Sequence, residues 1–124
     1  MFKSINYKFK ANIEKRERER LYLDTIKALK NAGSDLSKPH HIEHHFAVMH
    51  NCNITKMAES LKNEGYEVSE VYEETKEHGE KYYYFDGCKY CLVEPNIIFA
   101  ESKRMTEIAA AFNEVYDGWG TKVE

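Results

Sequence analysis

Polar and apolar positions alternate most regularly between residues 40 and 50. Ile42, His44, Phe46 and Val48 fall on one face of an extended segment, and His41, Glu43, His45, Ala47 and Met49 on the other. That pattern predicts a strand buried on one side. The period then changes. Ile54, Met57, Ala58 and Leu61 recur at the i, i+3, i+4, i+7 spacing of a helix stripe, with Asn53 as its cap and Gly65 at its end. Residues 66–74 read as a second strand and residues 75–80 as a charged loop. Residues 81–93, rich in Tyr and Phe, read as a third strand, with Asp86 and Gly87 as its candidate point of interruption and Pro95 as its stop. Met105, Ile108, Ala109 and Phe112 predict a helix over residues 102–113, and residues 115–123 form the last strand.

A longer helix precedes these elements, over residues 13–32, with Asn12 as its cap and Gly33 closing it. Its first half is all charged and can stabilise itself in water, with Glu14 four residues before Arg18 and Lys15 four before Glu19. Only its second half carries an apolar stripe, Tyr22, Ile26 and Leu29, so only that half is expected to dock. Residues 1–12 read as an N-terminal extension. The remaining order is strand, helix, strand, strand, helix, strand, and right-handed crossovers place both helices on one sheet face. The predicted fold is therefore α+β: a ferredoxin-like βαββαβ antiparallel sheet with an additional N-terminal helix, in one domain over residues 13–124. The opposite sheet face is left to solvent, to the N-terminal helix, or to a partner.

Length agrees with one domain, since 124 residues rarely support two cores. A chain 42% hydrophobic and 31% charged is globular, and no apolar run approaches the roughly 20 residues of a membrane span. The first residues lack the apolar core of a signal peptide, so a cytoplasmic location and reduced cysteines are expected. Charge changes the picture more. The first 39 residues hold ten Lys/Arg against five Asp/Glu, and the rest hold eight against sixteen. Between Glu64 and Glu80 there are seven Glu and one Lys. This is not a uniformly basic nucleic-acid binder, and it favours a protein partner of complementary charge.

Several clusters hold side chains capable of chemistry. His40, His41, Glu43, His44, His45 and His50, with Cys88 and Cys91, are metal-ligand types. A strand, however, sends Cys88 and Cys91 to opposite faces, and no second CxxC completes a zinc fold. No spacing selects a nucleophile, base and orienting group, and no phosphate loop is present. The expectation is therefore no catalytic residue, no cofactor and no metal. Two alternatives stand behind a protein-binding role. One is an RNA-binding module stacking bases on Tyr82, Tyr84 and Phe85; the neighbouring glutamates would repel phosphate. The other is a metal-dependent enzyme built on the histidines of residues 40–45. In the last strand Trp119 stands between Gly118 and Gly120, either as a core residue or as an exposed partner anchor sharing a face with Asp117. The candidate partner surface joins Glu43, His45, Asp117 and Trp119 on the bare face to Glu67, Glu70, Glu73 and Glu74 on the acidic second strand.

Four segments in register carry a family resemblance: Gly33-Ser34-Asp35, Ile42-Glu43-His44-His45, Gly65-Tyr66-Glu67-Val68, and Tyr116-Asp117-Gly118-Trp119-Gly120-Thr121. Together they resemble the regulator of ribonuclease activity B family, bacterial protein inhibitors of ribonuclease E, over about residues 13–124. The resemblance implies a ferredoxin-like domain without catalysis of its own. It implies binding to the long C-terminal region of ribonuclease E, which contains Arg-rich RNA-binding stretches. It further implies restraint of endonucleolytic cleavage and a changed membership of the RNA degradosome. No direct nucleic-acid binding is expected from the charge pattern, and no membrane association from the hydropathy. A Glu-rich body suits a basic partner segment.

Overall fold

The computed structural model describes residues 4–8 and 15–124. Along the chain run β1 (Ser4–Lys8), α1 (Lys15–Asn31), β2 (His40–Val48), a short 3-10 turn (Asn51–Asn53), α2 (Ile54–Asn63), β3 (Glu67–Val68), β4 (Tyr72–Thr75), β5 (Lys81–Cys91), α3 (Pro95–Ala111) and β6 (Val115–Lys122). The six strands form one sheet in the order β1-β6-β2-β5-β3, with β4 also pairing to β5, and every pairing is antiparallel. From β2 onward this is the predicted ferredoxin-like arrangement, with β2 and β5 at its centre. Ser4–Lys8, within the segment read as an extension, adds a strand beside β6.

The alternation in β2 is kept along its whole length: His40, Ile42, His44, Phe46 and Val48 are buried, and the residues between them are half-exposed. All three helices pack on that buried face. Met57 and Leu61 of α2 and Met105, Ile108 and Ala109 of α3 close over Phe46, Val48, Phe85 and Tyr116. Tyr22, Ile26 and Leu29 of α1 close over Ile42, Val93, Ile98 and Trp119. Phe46 and Phe85 stack with ring centroids 5.5 Å apart. Burying side chains of this size stabilises the fold by about 1.5–3 kcal/mol each. The N-terminal helix thus shares the face of the other two. Among the described residues no helix covers the opposite face.

Several boundaries differ from those predicted. α3 begins at Pro95 rather than Ser102. Pro95 occupies the first helical turn, where its missing N–H costs nothing, and the Ile98 N–H already donates to the Glu94 carbonyl at 2.9 Å. β5 runs unbroken through Asp86 and Gly87. The second strand is instead the broken one. The Ser69 hydroxyl accepts from the Asp86 N–H at 2.8 Å, the Ser69 N–H donates to the Asp86 carbonyl at 2.9 Å, and the ladder resumes only at Tyr72. Asn53 does not cap α2 with its side chain. Its amide donates to the Phe112 carbonyl at 3.1 Å and to Glu114 at 2.7 Å, tying the start of α2 to the end of α3. Lys15 and Glu19 pair at 3.9 Å on α1. The cap expected at Asn12 and the Glu14 pairing lie outside the described residues.

Candidate functional site

The open face of the sheet is assembled by register. β2 and β5 set His41 opposite Tyr90, Glu43 opposite Cys88, His45 opposite Asp86 and Ala47 opposite Tyr84. Since Phe46 and Phe85 point into the core, these four pairs point out. β4 sets Tyr72 opposite Tyr84 and Glu74 opposite Tyr82, and β3 sets Glu67 opposite Cys88. His45, Tyr72, Glu74, Lys76, Asp86 and Asp117 line a shallow cleft of about 540 Å³ on this face. Tyr82 and Tyr84 stack at 6.4 Å and 16°, and Tyr72 and Tyr90 are exposed.

A bulge in β6 decides where its side chains go. His44 lies opposite Trp119 and Phe46 opposite Tyr116, so Asp117 and Gly118 together face His45. The extra residue resets the alternation. Gly118 takes φ 105°, a backbone conformation that favours glycine. Tyr116 and Trp119 consequently both point into the core, and Asp117 lines the open cleft. Trp119 is completely buried against Tyr22. It does not share a face with Asp117 and is a core residue, not an exposed anchor.

The other predicted surface residues divide. Glu43, His45, Glu67, Glu74 and Asp117 belong to the open face. Glu70 is exposed in the break between β3 and β4. Glu73 lies opposite Tyr83, which packs on the core, and pairs with Lys81 at 3.4 Å. Phe85 is buried, so of the three aromatics considered for base stacking only Tyr82 and Tyr84 reach the open face.

The histidines are dispersed rather than gathered. His40 is buried, where its Nδ1 donates to the Lys38 carbonyl and its Nε2 meets the Ser34 hydroxyl, both at 2.9 Å. His44 shares a hydrogen bond of 2.8 Å with the Tyr116 hydroxyl. Its burial, together with the charge of His45, lowers its pKa to about 3. His45 sits 2.7 Å from Asp86. Burial opposes its protonation, but the Asp86 hydrogen bond and the charges of Asp86, Glu43 and Asp117 outweigh that and raise its pKa. Burial and the neighbouring Asp86, Glu43 and Glu67 push the Cys88 thiol up to about 12, leaving little thiolate at neutral pH. Cys91 lies on the opposite face against the core. Among the described residues no three metal-ligating side chains converge.

The family model described as regulator of ribonuclease activity B matches residues 23–121. The chain belongs to this family. Relatives carrying the same name include one from Pseudoalteromonas atlantica, 35% identical over 98 residues, which covers 79% of this chain and 84% of the relative. One from Actinobacillus succinogenes is 34% identical over 101 residues, covering 82% and 71%. One from Salmonella typhi is 32% identical over 111 residues, covering 90% and 78%. The match to regulator of ribonuclease activity B spans every element from within α1 to within β6, including the bulge and the open face. Within this regulator fold, sequence reasoning overlooked Tyr72, Lys76 and Asp86 as parts of the face. Asp86 was readable as the partner of His45 once β2 and β5 were aligned about Phe46 and Phe85. Lys76 sits in a loop, where no periodicity assigns a face.

Proposed function

We propose that this chain is a cytoplasmic, non-catalytic regulator that binds the C-terminal region of ribonuclease E through its open sheet face, restraining cleavage and altering degradosome membership. The carrying observation is the composition of that face: Glu43, Glu67, Glu74, Asp86 and Asp117 stand among exposed tyrosines on the side that no described helix covers. Family membership supports a ribonuclease as the target. Carboxylates distributed over a face steer a basic segment in and set the association rate more than the final affinity. No helix among the described residues is long and apolar enough to cross a membrane.

The test is surface plasmon resonance against the C-terminal region of ribonuclease E at low and moderate salt. Glu43→Lys with Asp117→Lys should slow association and flatten its salt dependence, since salt screens such charges over about 8–10 Å. Glu59→Lys, exposed on α2 behind the sheet, should change little. Parent-like kinetics in the double variant would move the interface elsewhere, and no binding by the parent would remove ribonuclease E as the partner. Prior treatment with a ribonuclease should leave binding intact. Loss on treatment would instead support an RNA bridge through Tyr82 and Tyr84.

A further inference from the structure

One cation already lies on the acidic face. Lys76 follows β4 directly, and its N–H donates to the Glu80 carbonyl at 2.7 Å across the hairpin loop. Its side chain turns back over the sheet. The ammonium stands 5.3 Å from the centre of the Tyr82 ring and 5.6 Å from that of Tyr84, and donates to Glu74 at 2.7 Å. Stacked aromatic faces with a carboxylate beside them form a receptor for a cation. Beyond Glu74 the same cleft holds Asp86 and Asp117, with Tyr72 at the sheet edge.

We propose that this cleft is an arginine-recognition site in which Lys76 is a built-in placeholder, displaced when an arginine from a basic segment of the protein partner stacks on Tyr82 and Tyr84 and pairs with Glu74. This deepens the reading of the open face as a protein-docking surface and rests on it. Arginine suits the site better than lysine. A planar guanidinium stacks on a ring and still offers two parallel N–H donors to a carboxylate, whereas an ammonium presents one compact charge. The side chain of Lys76 is 39% exposed and that of Glu74 41%, so exchange needs no opening of the core. Because the placeholder competes with every incoming cation, it weakens binding of isolated basic side chains. It favours a segment that supplies several basic residues, since the same cleft also holds Asp117 and the Asp86–His45 pair.

The experiment is calorimetric titration of the full chain with two probes, a capped octa-arginine peptide and a capped octa-lysine peptide. Lys76→Met should tighten octa-arginine binding about fivefold by removing the competitor, and Tyr84→Leu should weaken it by a similar factor in both the Lys76 and the substituted background. Lys62→Met removes the same charge on exposed α2 and should alter affinity by less than about twofold, screened by distance and salt. Octa-lysine should bind the parent more weakly than octa-arginine. In NMR spectra the Lys76 side-chain resonances should lose their ring-current shift as octa-arginine is added. The proposal is overturned if Lys76→Met weakens binding or leaves it unchanged, if Tyr84→Leu has no effect, or if the two peptides bind alike. It is also overturned if single-stranded oligouridylate binds the parent and Lys76→Met abolishes that, since Lys76 would then be a phosphate contact. The C-terminal region of ribonuclease E is titrated in parallel. The expected peptide pattern without binding of that region upholds the cleft and overturns only the partner. Binding of that region unaffected by Lys76→Met and Tyr84→Leu overturns the cleft and leaves the partner standing.

Discussion

Trp119 and Tyr22 meet edge to face, ring centroids 6.2 Å apart and planes 73° apart, joining the last paired strand to the first helix behind the sheet. Both are in the core, so their loss should register as stability. Trp119→Ala and Tyr22→Ala should each cost about 3–5 kcal/mol in urea melts, as for other large-to-small core changes. The double variant should cost less than the sum, because the rings touch. Trp119 is the only tryptophan, so its emission reports this junction alone. It should be blue-shifted and stay so when a partner binds the other face. A red shift on binding, or a Trp119→Ala variant as stable as the parent, would contradict this placement.

Acid should weaken the fold through His44. The folded protein holds it neutral down to about pH 3, whereas the unfolded chain protonates it near 6.5. The unfolded state then binds the extra proton, so stability falls as pH drops below about 6.5, by about 2 kcal/mol at pH 5. His45, with its raised pKa, works the other way: its contribution is present in acid and is lost as pH rises through its folded value. Replacing His44 and Tyr116 together by Phe removes both halves of their hydrogen bond at similar volume. Melts from pH 8 to pH 5 should then flatten. An unchanged slope would place the acid sensitivity elsewhere.

Gly87 lies in the centre of β5, opposite His44 and Val68. A methyl group there would come within 3.2 Å and 3.3 Å of the two Leu61 Cδ atoms. Leu61 is fully buried, so the packed core around it must absorb any shift. Gly87→Ala should therefore destabilise by about 1–3 kcal/mol. In a Leu61→Val background the same change should cost less. Equal costs in both backgrounds, measured as denaturant midpoints, would mean that backbone rather than contact is responsible.

Glu114 closes the far end of the sheet with a side chain that is entirely buried. It accepts from the Met49 N–H at 2.8 Å, the His50 N–H at 3.2 Å and the Asn53 amide at 2.7 Å. Burial raises its pKa, but these hydrogen bonds more than compensate and the net shift is downward. Glu114→Gln turns an amide N–H₂ toward donors and should cost about 1–3 kcal/mol at pH 7. The charged form contributes above the ordinary carboxylate value and is lost as pH falls through the folded one, so the gap between parent and variant should narrow in acid. A gap that widens would reverse the assigned direction.

What was legible in the sequence is what periodicity carries. The alternation about His44 and the stripes ending at Leu61 and Phe112 placed the central strand and two helix faces, and the stripe of Tyr22, Ile26 and Leu29 identified the docking half of α1. What was missed lies where one residue breaks a period. At Asp117 and Gly118 the bulge turns an i, i+2 relation into i, i+3, which moves Trp119 from the open face to the core. Pro95 reads equally well as a strand stop or a helix start, and the absence of charge among Ile97, Ile98 and Phe99 concealed the first turns of α3. Ser69 mimics a ladder partner with its hydroxyl, so the broken second strand looks continuous from outside. Of the candidate surface, the acidic positions on regular strands were found, while Lys76 and Asp86 required the cross-strand register.

The outer side of β3 and β4 is unpaired among the described residues. An exposed strand edge is a template for a second strand, and proteins guard such edges with charge. Here Glu67, Glu70 and Glu73 are exposed along that border, with Glu77 and Glu80 in the adjoining loop. Two identical molecules brought border to border would set these carboxylates against one another. The acidity proposed to receive a basic segment from another protein would thus also oppose edge-to-edge pairing of identical chains.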